Sequence, residues 1–270
     1  EDRDNFIQAY IEGNGKDYLL NAAGFPMSEY EIEHRIGRYL SNPCVEIIGR
    51  DLTCNLSLVH LESFDPHDDE GILEAFRLAT LTAAPLLKHK FIHEVLRDSR
   101  EIDPIVGVCF TGFFDFLIAR FGEPWLEWWM AGRPGDWVHK EMDSQYNASY
   151  FLDEEARLLS NWKEMVQETL SSYCEQEGLK CPNRCTAIQP SGTKGLLSGG
   201  APGWHPSYAQ YYIRRITFAR EHPIAMACID YGYNVIPGVD NKQLDGSLYD
   251  DIWDPNVSTW LVEIPIKAPW

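Results

Sequence analysis

A cysteine and a glutamate stand two residues apart in Ser41-Asn42-Pro43-Cys44-Val45-Glu46-Ile47-Ile48-Gly49. On extended backbone, residues i and i+2 point to the same side, so this spacing sets a thiol and a proton-transferring carboxylate beside one bound molecule. Pro43 fixes its own φ and biases Asn42 toward extended geometry, which favours a loop or turn over a helix. Cys54, in Cys54-Asn55-Leu56, adds a second thiol able to act as redox partner or source of reducing equivalents. By spacing alone, the same cysteine also suits the role of a small buried hydrophobe.

A second stretch with chemical potential runs Cys185-Thr186-Ala187-Ile188-Gln189-Pro190-Ser191-Gly192-Thr193-Lys194-Gly195-Leu196-Leu197-Ser198-Gly199-Gly200. It predicts a short β-branched strand ending at Pro190, followed by small residues that open a helix. Amides at such a helix start, with the hydroxyls of Ser191 and Thr193 and the ammonium of Lys194, make a seat for phosphate oxygens. The G-x-x-x-x-G-K-[ST] pattern of a Walker loop is absent. A glycine-rich turn capping an ordinary helix is the competing reading, and the stretch alone leaves both open.

Composition limits what surrounds these groups. The 270 residues are 44% hydrophobic, with 9 Trp, 13 Tyr and 12 Phe, enough for a substantial core in one large domain or two. A net charge of −18 argues against a nucleic-acid partner, which calls for a basic face. Any polyanionic substrate would need local basic groups or backbone amides. The 7 cysteines, at positions 44, 54, 109, 174, 181, 185 and 228, are scattered rather than arranged as a secreted disulfide framework. Cys181 and Cys185 form C-x3-C with no second pair at zinc spacing, so reduced thiols and no metal site are expected. No apolar run reaches the roughly 18 residues that cross a bilayer. The opening Glu1-Asp2-Arg3-Asp4 is unlike a signal peptide, and a cytoplasmic setting follows.

Hydrophobic spacing predicts the elements that must position the chemistry. A helix is expected over 27–40, with Ser28 and Glu31 as its capping box, and a strand over 56–61. A long helix over 71–96 should bend or break near Pro85. His89 and His93 lie four apart on it without the glutamate of an H-E-x-x-H motif. A buried strand over 105–112 ends in glycine and runs into an aromatic helix over 113–121. An amphipathic helix follows over 153–177. Strands over 211–218, 233–237 and 260–266 flank a helix over 223–231. Strands alternating with helices imply an α/β architecture with much parallel sheet.

With both regions in view, Asn42-Pro43-Cys44-Val45-Glu46, Cys54-Asn55-Leu56 and Gln189-Pro190-Ser191-Gly192-Thr193-Lys194 resemble the catalytic α/β barrel of ribonucleotide reductases. Asp103-Pro104-Ile105-Val106-Gly107-Val108, Trp125-Leu126-Glu127-Trp128-Trp129 and Ala201-Pro202-Gly203-Trp204-His205-Pro206 are similar to the monomeric, adenosylcobalamin-dependent (class II) ribonucleoside-triphosphate reductases. The likeness covers nearly the whole chain. It implies a segment of a ten-stranded α/β barrel with a central finger loop, and reduction of ribonucleoside triphosphates to deoxyribonucleotides for DNA synthesis. By that resemblance Cys44 is the transient thiyl radical, Glu46 the general base at the ribose 3′ hydroxyl, and Asn42 a holder of the ribose hydroxyls. Cys54 is the downstream member of the reducing pair, and Ser191, Gly192, Thr193 and Lys194 hold the phosphates. Adenosylcobalamin is the implied cofactor. The implied partners are the nucleotide and a thioredoxin-type or other dithiol reductant, with neither nucleic acid nor membrane.

The likeness also implies that residues 1–270 are part of the barrel domain, with its N-terminal half and last strands elsewhere. No cysteine precedes Cys44 to pair with Cys54, and no reducing cysteines follow Cys228. Turnover is then expected only when the remainder of the reductase chain completes the site. One rival keeps the reaction but draws its radical from a separate subunit; Tyr211-Tyr212 suggests its relay, yet Y-Y-I-R-R matches a barrel strand of the cobalamin type. Another rival is a non-catalytic nucleotide-binding or assembly fragment, against which the joint presence of Asn42, Cys44, Glu46 and Cys54 speaks.

Overall fold

The computed structural model describes residues 40–41, 47–49, 53–141, 145–192 and 194–268. Residues 27–39 of the expected first helix, and Asn42, Cys44, Glu46 and Thr193, lie outside these. The chain forms two compact units, Glu1–His205 and Pro206–Trp270.

In the first unit, two short strands, β1 (Leu40–Ser41) and β2 (Ile48–Gly49), pair antiparallel, Leu40 against Gly49 and Ser41 against Ile48. The main sheet has the order β3 (Leu56–His60), β4 (Ile105–Thr111), β5 (Arg184–Thr186), and both its pairings are parallel. All seven residues of β4 are buried, as expected of a central parallel strand covered on both faces. Its continuous apolar run is the sequence trace of that position.

Helices supply the cover. Helix α1 (Asp69–Ala83) starts where the Asp68 carboxylate accepts the Gly71 N–H at 2.9 Å, and it buries Ile72, Phe76, Thr80 and Ala83 along one stripe. The break expected near Pro85 is present: a 3-10 turn, Ala84–Lys88, ends the helix. His89 and His93 therefore sit on a link, not on one helical face, and α2 (Glu94–Ile102) begins after it. Gly112, at φ 72°, turns β4 into α3 (Phe113–Phe121), and α4 (Glu123–Met130) buries Trp125 and Trp128.

The longest helix, α5 (Ala148–Glu177), begins five residues before the expected start, because Asn147 caps it by accepting the Tyr150 N–H at 2.9 Å. Its buried line of Phe151, Leu158, Trp162, Val166, Leu170 and Cys174 follows the helical period. Trp162 stacks on Phe76 of α1 with ring centroids 5.1 Å apart, locking the two helices over the sheet.

The expected α/β architecture with much parallel sheet holds in the first unit, whereas the second unit is antiparallel. Strands β6 (Tyr211–Ala219) and β7 (Asn234–Pro237) both pair antiparallel with β8 (Thr259–Lys267), in the order β6-β8-β7. Helix α6 (Pro223–Asp230) adds Ala225 to a small core with Val257, Trp260 and Val262. The second unit's strands alternate half-buried and exposed residues along β6, the mark of a sheet with one open face. No helix among the described residues is long and apolar enough to cross a membrane.

Candidate functional site

The carboxyl ends of parallel strands are where an α/β sheet offers open backbone and a crevice. Here β3 ends at His60 and β4 at Thr111, and the stretch 187–204 is drawn across both ends. Its first anchor is Gln189, whose backbone N–H donates to Cys109 Sγ at 3.1 Å and whose side-chain amide donates to the Ser57 carbonyl at 3.2 Å. Lys194 Nζ donates to Gln189 Oε1 at 3.2 Å, which brings its ammonium over the loop.

The helix expected after Pro190 is absent as such. A single 3-10 turn, Lys194–Leu197, takes its place, closed by the Gly195 N–H on the Ser191 carbonyl at 2.8 Å. Four residues cannot build a macrodipole, so the loop offers hydroxyl, amide and ammonium groups rather than a helix N-terminus. Ser191 carries the local strain. Its φ is 52°, a left-handed conformation that L residues adopt at a cost of about 1–2 kcal/mol. Its side chain is 6% exposed, and among the described residues its hydroxyl has no hydrogen-bond partner.

The far half of the loop is held by groups that motif reading missed. The Ser198 hydroxyl lies 2.6 Å from His60 Nδ1 and donates to Glu62 Oε1. The Glu62 carboxylate fits only because position 200 is glycine: a Cβ there would stand 2.6 Å from Glu62 Cδ. Further along, Asp115 Oδ2 accepts the Ala201 N–H at 2.6 Å, and Gly112 N–H donates to the Ala201 carbonyl at 2.9 Å. Thr111 Oγ1 donates to that same carbonyl at 3.2 Å and accepts the Gly203 N–H at 2.9 Å.

Burial pushes the Asp115 carboxyl above its ordinary range; the Ala201 N–H opposes this, and the nearby Glu62 charge adds to it. One oxygen of each acid, Glu62 Oε2 and Asp115 Oδ1, is buried without a partner among the described residues. The only sequence trace of His60, Glu62, Thr111 and Asp115 is their position at or just beyond strand ends, because none belongs to a spaced motif. On the α5 side, the aromatic rings of Phe110, Phe113, Trp162 and Trp204 gather beside a cavity of about 610 Å³.

Of the residues singled out by sequence, Ser191, Gly192 and Lys194 share this loop. Cys54 is exposed, two residues before β3, and all six described cysteines are thiols rather than disulfide halves. Gln189 is anchored at Ser57, three residues along from Cys54. Among the described residues, no group of three or more His, Cys, Asp or Glu is placed to hold a metal ion.

No protein-family model matches the chain. It is 27% identical over 233 residues to the adenosylcobalamin-dependent ribonucleoside-triphosphate reductase of Lactobacillus acidophilus, an alignment covering 84% of this chain and 28% of that protein. The probable adenosylcobalamin-dependent ribonucleoside-triphosphate reductase of Dictyostelium discoideum is 35% identical over 82 residues, 30% of this chain and 11% of that protein. The crystal structure of a B12-dependent (class II) ribonucleotide reductase superposes with a TM-score of 0.59 at 24% identity, covering 84% of this chain and 29% of that one. The chain thus spans a little over a quarter of the Lactobacillus acidophilus protein and of the matched crystal structure, and the shared fold is α/β with a parallel sheet.

Proposed function

From a chain related over 84% of its length to an adenosylcobalamin-dependent ribonucleoside-triphosphate reductase, we propose that it forms a catalytic segment of such an enzyme. In this reading residues 1–270 belong to a ten-stranded barrel whose finger loop carries Cys44, and the reaction replaces the ribose 2′ hydroxyl with hydrogen. The observation that carries it is the strained Ser191 loop, tied down across the carboxyl ends of β3 and β4 with a buried hydroxyl to spare. A prearranged seat of this kind suits the phosphates of a substrate that must be held without adjustment.

The residues divide the work by chemistry. Lys194 and the amides around Ser191, Gly192 and Thr193 take the phosphates, and Asn42 holds the ribose hydroxyls. The Cys44 sulfur, as a thiyl, accepts the 3′ hydrogen atom while Glu46 takes the 3′ hydroxyl proton. The 2′ hydroxyl then leaves as water, with Cys54 and a partner thiol supplying two electrons and two protons as they close a disulfide. Return of the hydrogen atom from Cys44 to the 3′ carbon restores the thiyl, and an external dithiol reopens the disulfide. Adenosylcobalamin, when bound, supplies the radical that starts this sequence at Cys44.

The test is reconstitution. Deoxyribonucleotide should form when the segment works within the complete reductase chain, with cofactor and dithiol present, and should not form from the segment alone. Turnover by the 270 residues alone would refute the segment reading, and a complete but inactive enzyme would refute the activity.

A further inference from the structure

Helix α2 has no buried residue, yet Arg100 in its last turn is drawn inward. Arg100 Nη2 donates to Thr53 Oγ1 at 2.7 Å and to Asn55 Oδ1 at 3.4 Å, and Nη1 donates to the Leu86 carbonyl. The guanidinium also lies over the Phe91 ring, 4.6 Å from its centre. Every one of these partners is neutral. Burial lowers the Arg100 pKa, and among the described residues no carboxylate pairs with it. A half-buried cation held only by neutral groups is stabilised further by an anion, since each ion taken from water needs a countercharge.

The surroundings repeat the pattern. Lys90, Arg97, Lys180 and His89 line the same hollow of about 380 Å³, with Glu101 as the acid among its described lining residues. Arg97 is spent on the Phe91 and Ile92 carbonyls at 3.4 Å, long contacts that a better acceptor would displace, and Lys180 rests on the Ile102 carbonyl. The rest of the wall is apolar, from Leu87, Phe91, Pro104 and Leu179. Such a concentration of cations runs against a chain of net charge −18. Thr53 and Asn55 precede β3 and Pro104 precedes β4, so the hollow opens at the amino end of the parallel sheet, away from the Ser191 loop.

We infer that this hollow binds a small phosphate ester, its phosphate between Arg100 and Arg97 and its organic part against Phe91 and Leu87. An arginine fork matches phosphate geometry, and an aromatic ring beside it takes a planar group. The site is independent of the reductase reading.

Calorimetric titration of the protein with AMP and with inorganic phosphate tests it. AMP should bind at least about tenfold more tightly than phosphate, and Arg97→Ala and Lys90→Ala should each weaken AMP by about tenfold. Both side chains are exposed, so these variants keep the fold, which circular dichroism checks. Lys140→Ala, at an exposed lysine outside both the hollow and the Ser191 loop, should leave the affinity unchanged. Absence of saturable binding, equal affinity for phosphate and AMP, or a loss in Lys140→Ala but not in Arg97→Ala would each overturn the assignment.

Discussion

Asp115 Oδ2 accepts the Ala201 N–H at 2.6 Å, and this bond ties the first turn of α3 to the far end of the Ser191 loop. The carboxyl is pushed up by burial and by Glu62, so the folded state keeps its proton at pH values where an unfolded aspartate has lost it. Ionising Asp115 therefore costs stability, and the cost grows as pH rises from the ordinary aspartate range through the raised folded value. Asp115→Asn keeps an oxygen for Ala201 and removes the titration. Its urea midpoint should approach or fall below that of the native protein in acid and exceed it increasingly toward neutral pH. Parallel pH profiles for the two proteins would contradict this.

Gly203 and Gly199 both have left-handed φ, 58° and 77°, but their surroundings differ. A Cβ at Gly203 would stand 2.8 Å from the Gln189 carbonyl oxygen, whereas one at Gly199 meets nothing within 4 Å. Gly199→Ala should cost about 1 kcal/mol, the backbone term alone. Gly203→Ala should cost about 3 kcal/mol, because backbone must move to make room. Denaturant unfolding measures both, and equal costs would mean that the loop yields freely at Gln189.

Ser191→Gly separates strain from use. Relief of the left-handed serine should raise stability by up to about 1 kcal/mol. Loss of the hydroxyl should weaken ribonucleoside triphosphate binding in the complete enzyme by about tenfold. A variant that is more stable but binds equally well would remove the hydroxyl from the phosphate seat.

Glu155 is a buried hub: Oε1 accepts Trp125 Nε1 at 2.8 Å and Oε2 accepts Arg133 Nη2 at 2.6 Å. Glu155→Ala should cost about 3 kcal/mol, since Trp125 is 1% exposed and its N–H would lose its acceptor. Glu155→Gln, with an oxygen left for Trp125, should cost less than half of that. Thermal unfolding compares the two.

What could be read from sequence tracks how local the determining physics is. Strand β4 was legible because burial on both faces leaves an unbroken apolar run ended by Gly112, and α5 because its apolar spacing persists over 153–177. The start of α5 was missed because its cap, Asn147, is followed by Ala148, Ser149 and Tyr150, which carry no strong helical period. The turn after Pro190 departs from the expected helix start because Gly195, Ser198 and Gly200 serve long-range contacts with Thr111 and Glu62 that no local pattern shows. The antiparallel pairing of the second unit leaves no clean trace in the sequence of β6, where Ile213 lies on the exposed face and Arg214 on the half-buried one. At the site, Ser191 and Lys194 were visible through their motif. Glu62 and Asp115 were not, since each works as a single residue placed by tertiary structure.

The central claim, that this chain supplies the radical-bearing thiol of a ribonucleotide reductase, is tested most directly by Cys44→Ser in the complete enzyme. The hydroxyl keeps the size and polarity of the thiol, but its O–H bond is too strong to exchange a hydrogen atom with the ribose. Ribonucleoside triphosphate and adenosylcobalamin should still bind with affinities near those of the native enzyme, while deoxyribonucleotide formation disappears. Undiminished product formation by the Cys44→Ser enzyme would contradict the account.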